Sequence, residues 1–473
     1  MTARLRAAAV ALLLWTGQAD AAQSTNPPPP LTNTRFDEDY RYLLSPMARS
    51  GAYWERFKAI PVTPDGFASL STGLELRLRG EAVRNSGWGQ DQPRNDAYGL
   101  WRALPYADLR VGESLRLFGQ LIMADAVGKL DPLAPPDADR IDLMQGFADI
   151  DAPLGNAQGT LRVGRQMLAY GSERLISIRY GANVPRSFDA VKGIVTAGSW
   201  RIDAFYGRPV QPTPELFDDG RDAKRTAWAL YATRPLDLGW GGSAGLDAYY
   251  IGYRNRRAGF DAGAGRELRH TVGLRAFGKA AGWDWNWEAM GQFGRFGNNS
   301  SGGGSIRAWS LATDSGYRFT TLPLQPRLGL KANIASGDGN PRDGRLETFN
   351  PLFPRAKYFG ELTPVGPYNL MNLHPSLDLA LSDEFSLSAS AIGYWRESLD
   401  DGVYDLTGGL LRSGAASKAR YVGTQGELVL SYSSGRSFEG LISYSAFRPG
   451  SFLKDSGPAK TIHFAGMEGV FKF

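Results

Sequence analysis

Charged side chains recur at alternate positions in several stretches of this chain. In the segment LELRLRGE, residues 74 to 81, leucines alternate with Glu75, Arg77 and Arg79. If the segment is a strand, this spacing collects the charges on one face. A row of guanidinium groups along an aqueous path selects anions and holds carboxylates through paired hydrogen bonds. The candidate path residues on such polar phases are Arg77, Arg79, Arg102, Arg110, Arg162, Arg269, Arg275, Lys331 and Arg396, with the acids Asp149 and Glu288.

Two alternatives to an arginine-lined path stay open at this level. The arginines could pair with neighbouring acids across the wall and only stiffen it. Arg165 is a separate case, because strict alternation from Leu161 and Val163 places it on the apolar phase. We include Arg165 in the path on the expectation that a bulge at Gly164 turns it inward. The alternative is a position near the membrane surface, since an arginine in lipid at mid-depth costs about 2–4 kcal/mol.

A long polar segment from Asp338 to Met371 is a candidate gating loop, with an ordinary surface loop as the alternative. Its cations are Arg342, Arg345, Arg355 and Lys357. The start of this segment hints at a calcium-binding loop, but Arg342 occupies the third ligand position of that pattern. No other cluster has metal-ligand or phosphate-binding spacing, so we expect neither a metal nor a cofactor.

An enzyme is the rival class of function. The chain has three histidines, His270, His374 and His463, and no serine motif of the Gly-x-Ser-x-Gly type stands beside them. A hydrolase needs a nucleophile, a positioned base and an orienting group. We therefore interpret the histidines as wall residues and expect no catalytic activity.

The element that would position these charges is best seen in WDWNWEAMGQFG, residues 283 to 294. Three tryptophans, an alanine and Phe293 share one phase, while Asp284 and Glu288 share the other. A helix would spread the tryptophans over both of its faces, so the segment predicts a strand. Taken alone, it fits a soluble β-sandwich or a membrane β-barrel.

Composition leaves that choice open. A mean hydropathy of −0.30 and 42% hydrophobic residues fit a soluble protein, but a barrel with alternating faces gives the same average. The net charge of +5 is scattered rather than clustered. This pattern argues against a nucleic-acid partner and is compatible with an anion-favouring lumen.

The N-terminal residues predict export. Arg4 and Arg6 precede an apolar run, and Ala19-Asp20-Ala21 supplies small residues at a cleavage site. We expect a signal peptide at residues 1–21, a Pro-rich linker and periplasmic segment at 22–66, and a barrel at 67–473.

From residue 67 onward, alternating segments recur almost to the end of the chain. Eighteen can be counted, and because bacterial barrels have even strand numbers, we predict eighteen strands, with sixteen as the alternative. Short turns such as Gly198-Ser199 alternate with long polar loops such as 170–190 and 338–371. This alternation predicts an antiparallel transmembrane β-barrel with short periplasmic turns and long extracellular loops.

The last thirteen residues, TIHFAGMEGVFKF, place Met467, Phe471 and Phe473 on one phase. This strand resembles the C-terminal signal of bacterial outer-membrane proteins that the barrel-assembly machinery recognises. The resemblance implies assembly through the strand ending in Phe473. The expected location is the outer membrane of a Gram-negative bacterium, in contact with lipid and lipopolysaccharide.

The stretch LRVGRQMLAYGSERLISIRYGANVPRSFD, residues 161 to 189, resembles the alginate-export family of outer-membrane barrels. The matching elements are Gly164-Arg165-Gln166, the run from Tyr170 to Ile176, and Asn183-Val184 before Ser187-Phe188-Asp189. Further matches are DYRYL at 39–43, FNPLF at 349–353, YFG at 358–360 and FRPG at 447–450. Together they cover most of the chain after the signal peptide.

This resemblance implies an eighteen-stranded barrel that passes a polyanionic polysaccharide through an arginine-rich lumen, with Arg77 and Arg102 as pore-lining residues. We expect the barrel to be monomeric. Periplasmic export partners are a further expectation. Gln145 and Met167 stand where the family pattern leads us to expect arginines, which puts alginate itself in question. The alternatives are a porin that takes up small anionic or sugar solutes and, from another class, a barrel enzyme or adhesin.

Overall fold

The computed structural model describes residues 27–91, 95–239, 241–297 and 304–473. The expected signal peptide lies outside these residues. Within them, eighteen long strands alternate direction. They are β1 Ala68–Arg84, β2 Asn95–Val111, β3 Leu115–Val127, β4 Asp139–Leu154, β5 Ala157–Gln166, β6 Phe188–Ala197, β7 Trp200–Gln211, β8 Arg225–Leu236, β9 Ser243–Phe260, β10 Gly263–Ala280, β11 Trp283–Gly297, β12 Gly304–Arg318, β13 Arg327–Ala335, β14 Leu370–Ala380, β15 Phe385–Arg396, β16 Tyr421–Ser434, β17 Phe438–Pro449 and β18 Ile462–Lys472.

The sheet closes on itself between its first and last strands. Each strand pairs antiparallel with the next, and β1 pairs with β18 in a register that runs from Glu75 opposite Lys472 to Arg84 opposite His463. Closure leaves no unpaired edge, which is what a sheet in lipid requires. The predicted eighteen-stranded barrel is confirmed.

The two phases of β11 face different media, as the alternation predicts. Trp283, Trp287 and Phe293 are about half exposed, at 57%, 51% and 49%. Glu288 and Gln292, on the other phase, are buried at 7% and 3%. The apolar phase therefore forms the outer surface and the polar phase faces the lumen.

The two ends of the barrel differ. At one end the strands are joined by short turns, and aromatic pairs such as Trp283–Tyr317 and Phe385–Tyr432, with ring centroids 4.9 and 4.7 Å apart, surround the outside. Such a ring is typical of a membrane interface. At the other end lie the long loops 167–187, 336–369 and 397–420. One connection there is shorter than alternation suggested, because β9 and β10 continue to a turn at Asp261-Ala262.

The remaining elements are short. Helical turns cover Arg35–Asp37, Arg41–Leu44, Pro46–Ala48, Tyr53–Phe57, Ser86–Gly89, Gly414–Ala416 and Ser451–Ser456, and short strands cover Ile60–Pro61, Gly220–Arg221, Arg345–Leu346, Val403–Tyr404 and Leu410–Arg412. In the part of the chain that the structure describes, no helix has the length and apolar character needed to cross a bilayer.

Three segments fill much of the barrel interior. Residues 27–59, termed the N-terminal segment, pack Phe36 edge-on against the stacked, inward-facing rings of Phe118 and Phe147. Loops 167–187 and 336–369 enter from the opposite end and meet through a backbone bridge between Ile176 and Phe353. The lumen is therefore a lined and partly filled space.

Candidate functional site

The inner wall is built from ion pairs that join neighbouring strands. Arg77 and Arg79 of β1 both contact Glu468 of β18, at 2.7 and 2.8 Å. Arg102 of β2 contacts Glu75 of β1 at 2.7 Å. Other predicted path residues with acidic partners are Arg110 with Asp108, Arg162 with Asp149, Arg269 with Glu267 and Arg275 with Asp247. Most of the predicted arginines thus have their charge compensated at the wall.

Two of these arginines also hold loop 167–187 inside the barrel. Arg77 donates to the carbonyl oxygens of Gly181 and Ala182, at 2.9 and 2.8 Å. Arg102 donates to the carbonyl oxygen of Ala182 as well, at 2.8 Å, and faces the ring of Tyr180. A charged donor strengthens such bonds where water is excluded. The wall arginines are therefore attachment points for this loop.

The same loop is attached to the opposite wall at Glu288. Arg174 contacts this carboxylate at 2.9 Å, and Ser172 and Tyr249 donate hydrogen bonds to it, the latter at 2.6 Å. Glu288 belongs to the predicted path, but Arg174 did not stand out in the sequence because loop residues have no periodicity. The loop spans the lumen from β1 and β2 to β11.

The four cations of the predicted gating loop occupy two different environments. Lys357 reaches the wall and contacts Glu361 at 2.9 Å and Glu468 at 3.4 Å. Arg355 lies beside loop 167–187, where its backbone N–H donates to the carbonyl oxygen of Glu173 at 3.1 Å. Arg342 and Arg345 are exposed in the outer part of the loop. Only the inner pair therefore lies beside elements of the lumen.

The N-terminal segment binds the wall near the short-turn end. Arg162 lies over the rings of Phe36 and Phe147, at 4.4 and 4.0 Å from their centroids, and pairs with Asp149 at 2.7 Å. Arg116 donates to the carbonyl oxygen of Phe36 at 2.7 Å. These contacts combine aromatic packing with cation–π attraction, so they fix the segment in the mouth of the barrel.

Arg396 and Arg165 lie at the long-loop end of their strands. Arg396 has no carboxylate partner among the described residues and donates to four backbone carbonyl oxygens, those of Leu399, Asp401, Ser417 and Ala419. This arrangement anchors loop 397–420.

Arg165 differs from the expectation that placed it in the lumen. The β5 register shows no shift at Gly164, so Arg165 keeps the outer phase of Val163, which is 47% exposed. It lies one residue before the end of β5 and pairs with Asp189 at 2.9 Å. Its charge is tolerated because it is paired near the membrane surface rather than at mid-depth.

Among the predicted wall cations that have an acidic partner, Lys331 makes the longest contact. Its side chain is 35% exposed, and its Nζ lies 3.7 Å from Asp314. His374 is its cross-strand neighbour, and the charges of Arg355 and Arg174 are near enough to repel it. Among the described residues, Arg355 makes no ion pair. A group of cations with incomplete compensation therefore faces this side of the lumen.

A cavity of about 400 Å³ lies between the N-terminal segment, loop 167–187 and strands β5 to β8. Its lining includes Arg162, Lys192 and Arg201. Asp203 compensates two of them, with contacts of 2.7 Å to Lys192 and 3.0 Å to Arg201. Its volume is in the range of pockets for small ligands. Lys192, Arg201 and Asp203 were missed in the sequence.

Other sequence features have clear positions. Gln145, which departs from the family pattern, accepts from the backbone N–H of Met167 at 2.9 Å and donates to Gln120 at 2.8 Å. His270 and His463 lie on the outer face, where Nδ1 of each contacts a tyrosine hydroxyl. The structure also brings together Asp139, Asp142 and Asp219, although the sequence predicted no metal site.

Comparison with solved structures shows where this fold is found. OccK8 (OprE) of Pseudomonas aeruginosa matches with a TM-score of 0.56 at 9% identity. OccK2 (OpdF) of the same organism, solved in complex with glucuronate, matches with a TM-score of 0.54 at 11% identity. Each of these two matches covers 85% of this chain and 98% of the other chain. OccAB1 of Acinetobacter baumannii matches with a TM-score of 0.58 at 12% identity, covering 89% of this chain and 99% of its own. At such identities the likeness establishes the fold alone.

A search of curated protein sequences gave no match. The family model described as alginate export, however, matches residues 68–467, which is nearly the whole barrel. The predicted outer-membrane location in a Gram-negative bacterium is confirmed, and the protein is an outer-membrane channel of a transport family. The chain belongs to the alginate export family.

Proposed function

We propose that this channel passively conducts an anionic saccharide whose sugar units carry carboxylates, in the manner of alginate export. The observation that carries the proposal is the group formed by Lys331, Arg355 and Arg174, because its positive charge is only partly compensated. Lysine and arginine at a constriction favour anions, and partial compensation by Asp314 and Glu288 keeps binding weak enough for release. The compensated arginines elsewhere then serve to hold the loops.

A second candidate is uptake of a small anionic or sugar solute. The cavity lined by Arg162, Lys192 and Arg201 favours it, since its 400 Å³ suits a single sugar acid better than a polymer. The solved structure of OccK2 with glucuronate provides an example of a similar barrel that holds a sugar carboxylate. This cavity and the group around Lys331 are separate, so the two candidates can be tested independently.

The test is conductance in planar bilayers with protein free of lipopolysaccharide. In a salt gradient, the native channel should show a reversal potential on the anion-selective side. The double variant Lys331→Glu, Arg355→Glu should shift this potential toward cation selectivity. Arg342→Glu is the matched control, because Arg342 is exposed in the outer part of the same loop. Equal shifts in both variants, or no anion preference in the native channel, would overturn the proposal.

The substrate size separates the two candidates. Export of a polymer predicts that oligouronates of increasing length block the current for longer times, while neutral oligosaccharides of equal length do not. Uptake predicts block by a monouronate such as glucuronate, with loss of that block in Lys192→Gln.

We further propose, as part of this function, that the strand ending in Phe473 is recognised by the barrel-assembly machinery and that periplasmic partners deliver the polymer.

A further inference from the structure

Three carboxylates meet at the long-loop end of the barrel, on the side of β4. Asp139 and Asp142 belong to the first residues of β4, and Asp219 comes from loop 212–224 between β7 and β8. One oxygen from each lies within 4.8 Å of the other two. All three donors are hard oxygens, the ligand type that Ca²⁺ and Mg²⁺ prefer.

Asp139 provides a separate observation that points to a ligand. Its exposed fraction is 0%, and neither of its carboxylate oxygens accepts a hydrogen bond from a described residue. A buried polar atom without a partner is costly, and a buried unpaired charge costs more. The Asp139 carboxylate thus lies in the cluster without a hydrogen bond from any described residue.

The charges around the cluster leave it strongly negative. Asp218 adds a fourth acid nearby, and Arg165 is the nearby cation, 3.4 Å from Asp142. Arg165 lies closer to Asp189, at 2.9 Å, so its charge is shared.

We propose that Asp139, Asp142 and Asp219 bind one divalent cation, with Ca²⁺ preferred over Mg²⁺. The preference follows from hydration, because Mg²⁺ gives up its bound water reluctantly and is seldom held by protein ligands alone, whereas Ca²⁺ accepts several carboxylates in a flexible geometry. A cluster of three carboxylates, one of them fully buried, therefore suits Ca²⁺ better. Both Asp139 oxygens are free to coordinate the ion.

The bound ion would attach loop 212–224 to the barrel rim. The loop already lies along β4, where the backbone N–H of Phe217 donates to Ile141 at 2.9 Å and that of Asp219 donates to Asp142 at 3.0 Å. A cation shared by Asp219 and the two β4 acids would add a further attachment and remove the repulsion among the three carboxylates. The ion thus acts as a clamp between β4 and the loop that follows β7.

The experiment is calorimetric titration of Ca²⁺ and Mg²⁺ into the full-length protein, refolded in detergent without lipopolysaccharide and stripped with chelator. We expect one Ca²⁺ per chain, bound at least tenfold more tightly than Mg²⁺. Asp139→Asn and Asp219→Asn should each weaken Ca²⁺ binding at least tenfold. Glu215→Gln, an exposed acid in the same loop at 66% exposure, is the control and should leave binding unchanged.

Thermal unfolding keeps the test decisive if a variant folds poorly. Asp139→Asn removes a buried charge, so its melting temperature without Ca²⁺ should equal or exceed that of the native protein, while its increase with Ca²⁺ disappears. Absence of Ca²⁺ binding at millimolar concentration in the native protein would overturn the proposal. Equal binding by Asp139→Asn and Glu215→Gln would overturn it as well.

Discussion

Arg102 on β2 donates to the carbonyl oxygen of Ala182 at 2.8 Å, although the two residues are 80 positions apart in the chain. Arg77 makes the same kind of contact with Gly181 and Ala182. Arginines that were expected to line an open path therefore hold loop 167–187 across it. The position of that loop, more than the number of arginines, determines how much of the lumen is open.

Replacing Arg77 should loosen this loop and raise conductance. In Arg77→Gln both loop carbonyls lose a charged donor, each worth about 1.5–3 kcal/mol, while Glu468 keeps contacts with Arg79 and Lys357. Single-channel recording should show a larger or noisier open state. Arg140→Gln, at a side chain 70% exposed on the outer rim, is the control. Identical traces for the two variants would exclude a role of Arg77 in closing the lumen.

The N-terminal segment should depend on one aromatic side chain. Phe36 is 8% exposed and packs against Phe118, Phe147 and Arg162. Phe36→Ala should cost about 3–5 kcal/mol of local packing, as for other buried aromatic residues. Trypsin should then cleave at Arg41 and Arg49 faster than in the native protein. Met47→Ala, at a side chain 94% exposed, should not change the rate.

The strands could be predicted from the sequence because alternation is a local property. The WDWNWEAMGQFG segment already separates its lipid phase from its lumen phase, and the structure keeps that assignment without a shift. The site could not be predicted in the same way. Arg174 meets Glu288 across 114 positions, and Arg77 meets Glu468 across 391. The first pair depends on how loop 167–187 folds into the lumen, and the second depends on closure of the barrel between β1 and β18. Neither follows from a period in the sequence.

Docking of loop 336–369 should depend on pH through Asp338. Burial, with Asp401, Glu347 and Asp343 nearby, raises the pKa of Asp338 to about 6 from an ordinary value of 3.8. Between pH 3.8 and about 6, Asp338 is protonated in the docked loop but ionised in the released loop. Docking therefore weakens as the pH rises through this range. Hydrogen exchange of the loop, corrected for intrinsic rates, should show decreasing protection across this range.

Asp338→Asn should remove this pH dependence, because the amide stays neutral throughout. Asp383→Asn, in an exposed turn at the opposite end of the barrel, should keep it. Protection that rises with pH in the native protein would contradict the assigned sign.

The outer face can be tested by two leucines with nearly equal exposure. Leu274 on β10 is 66% exposed between the lumen-side residues Gly273 and Arg275, and Leu130 is 68% exposed in the loop after β3. If the medium around β10 is hydrocarbon, Leu274→Arg should lose about 2–4 kcal/mol of stability. Leu130→Arg, in water, should change stability by less than about 0.5 kcal/mol. Denaturant unfolding in lipid vesicles measures both, and equal losses would mean that exposure alone, rather than contact with lipid, sets the cost of the charge.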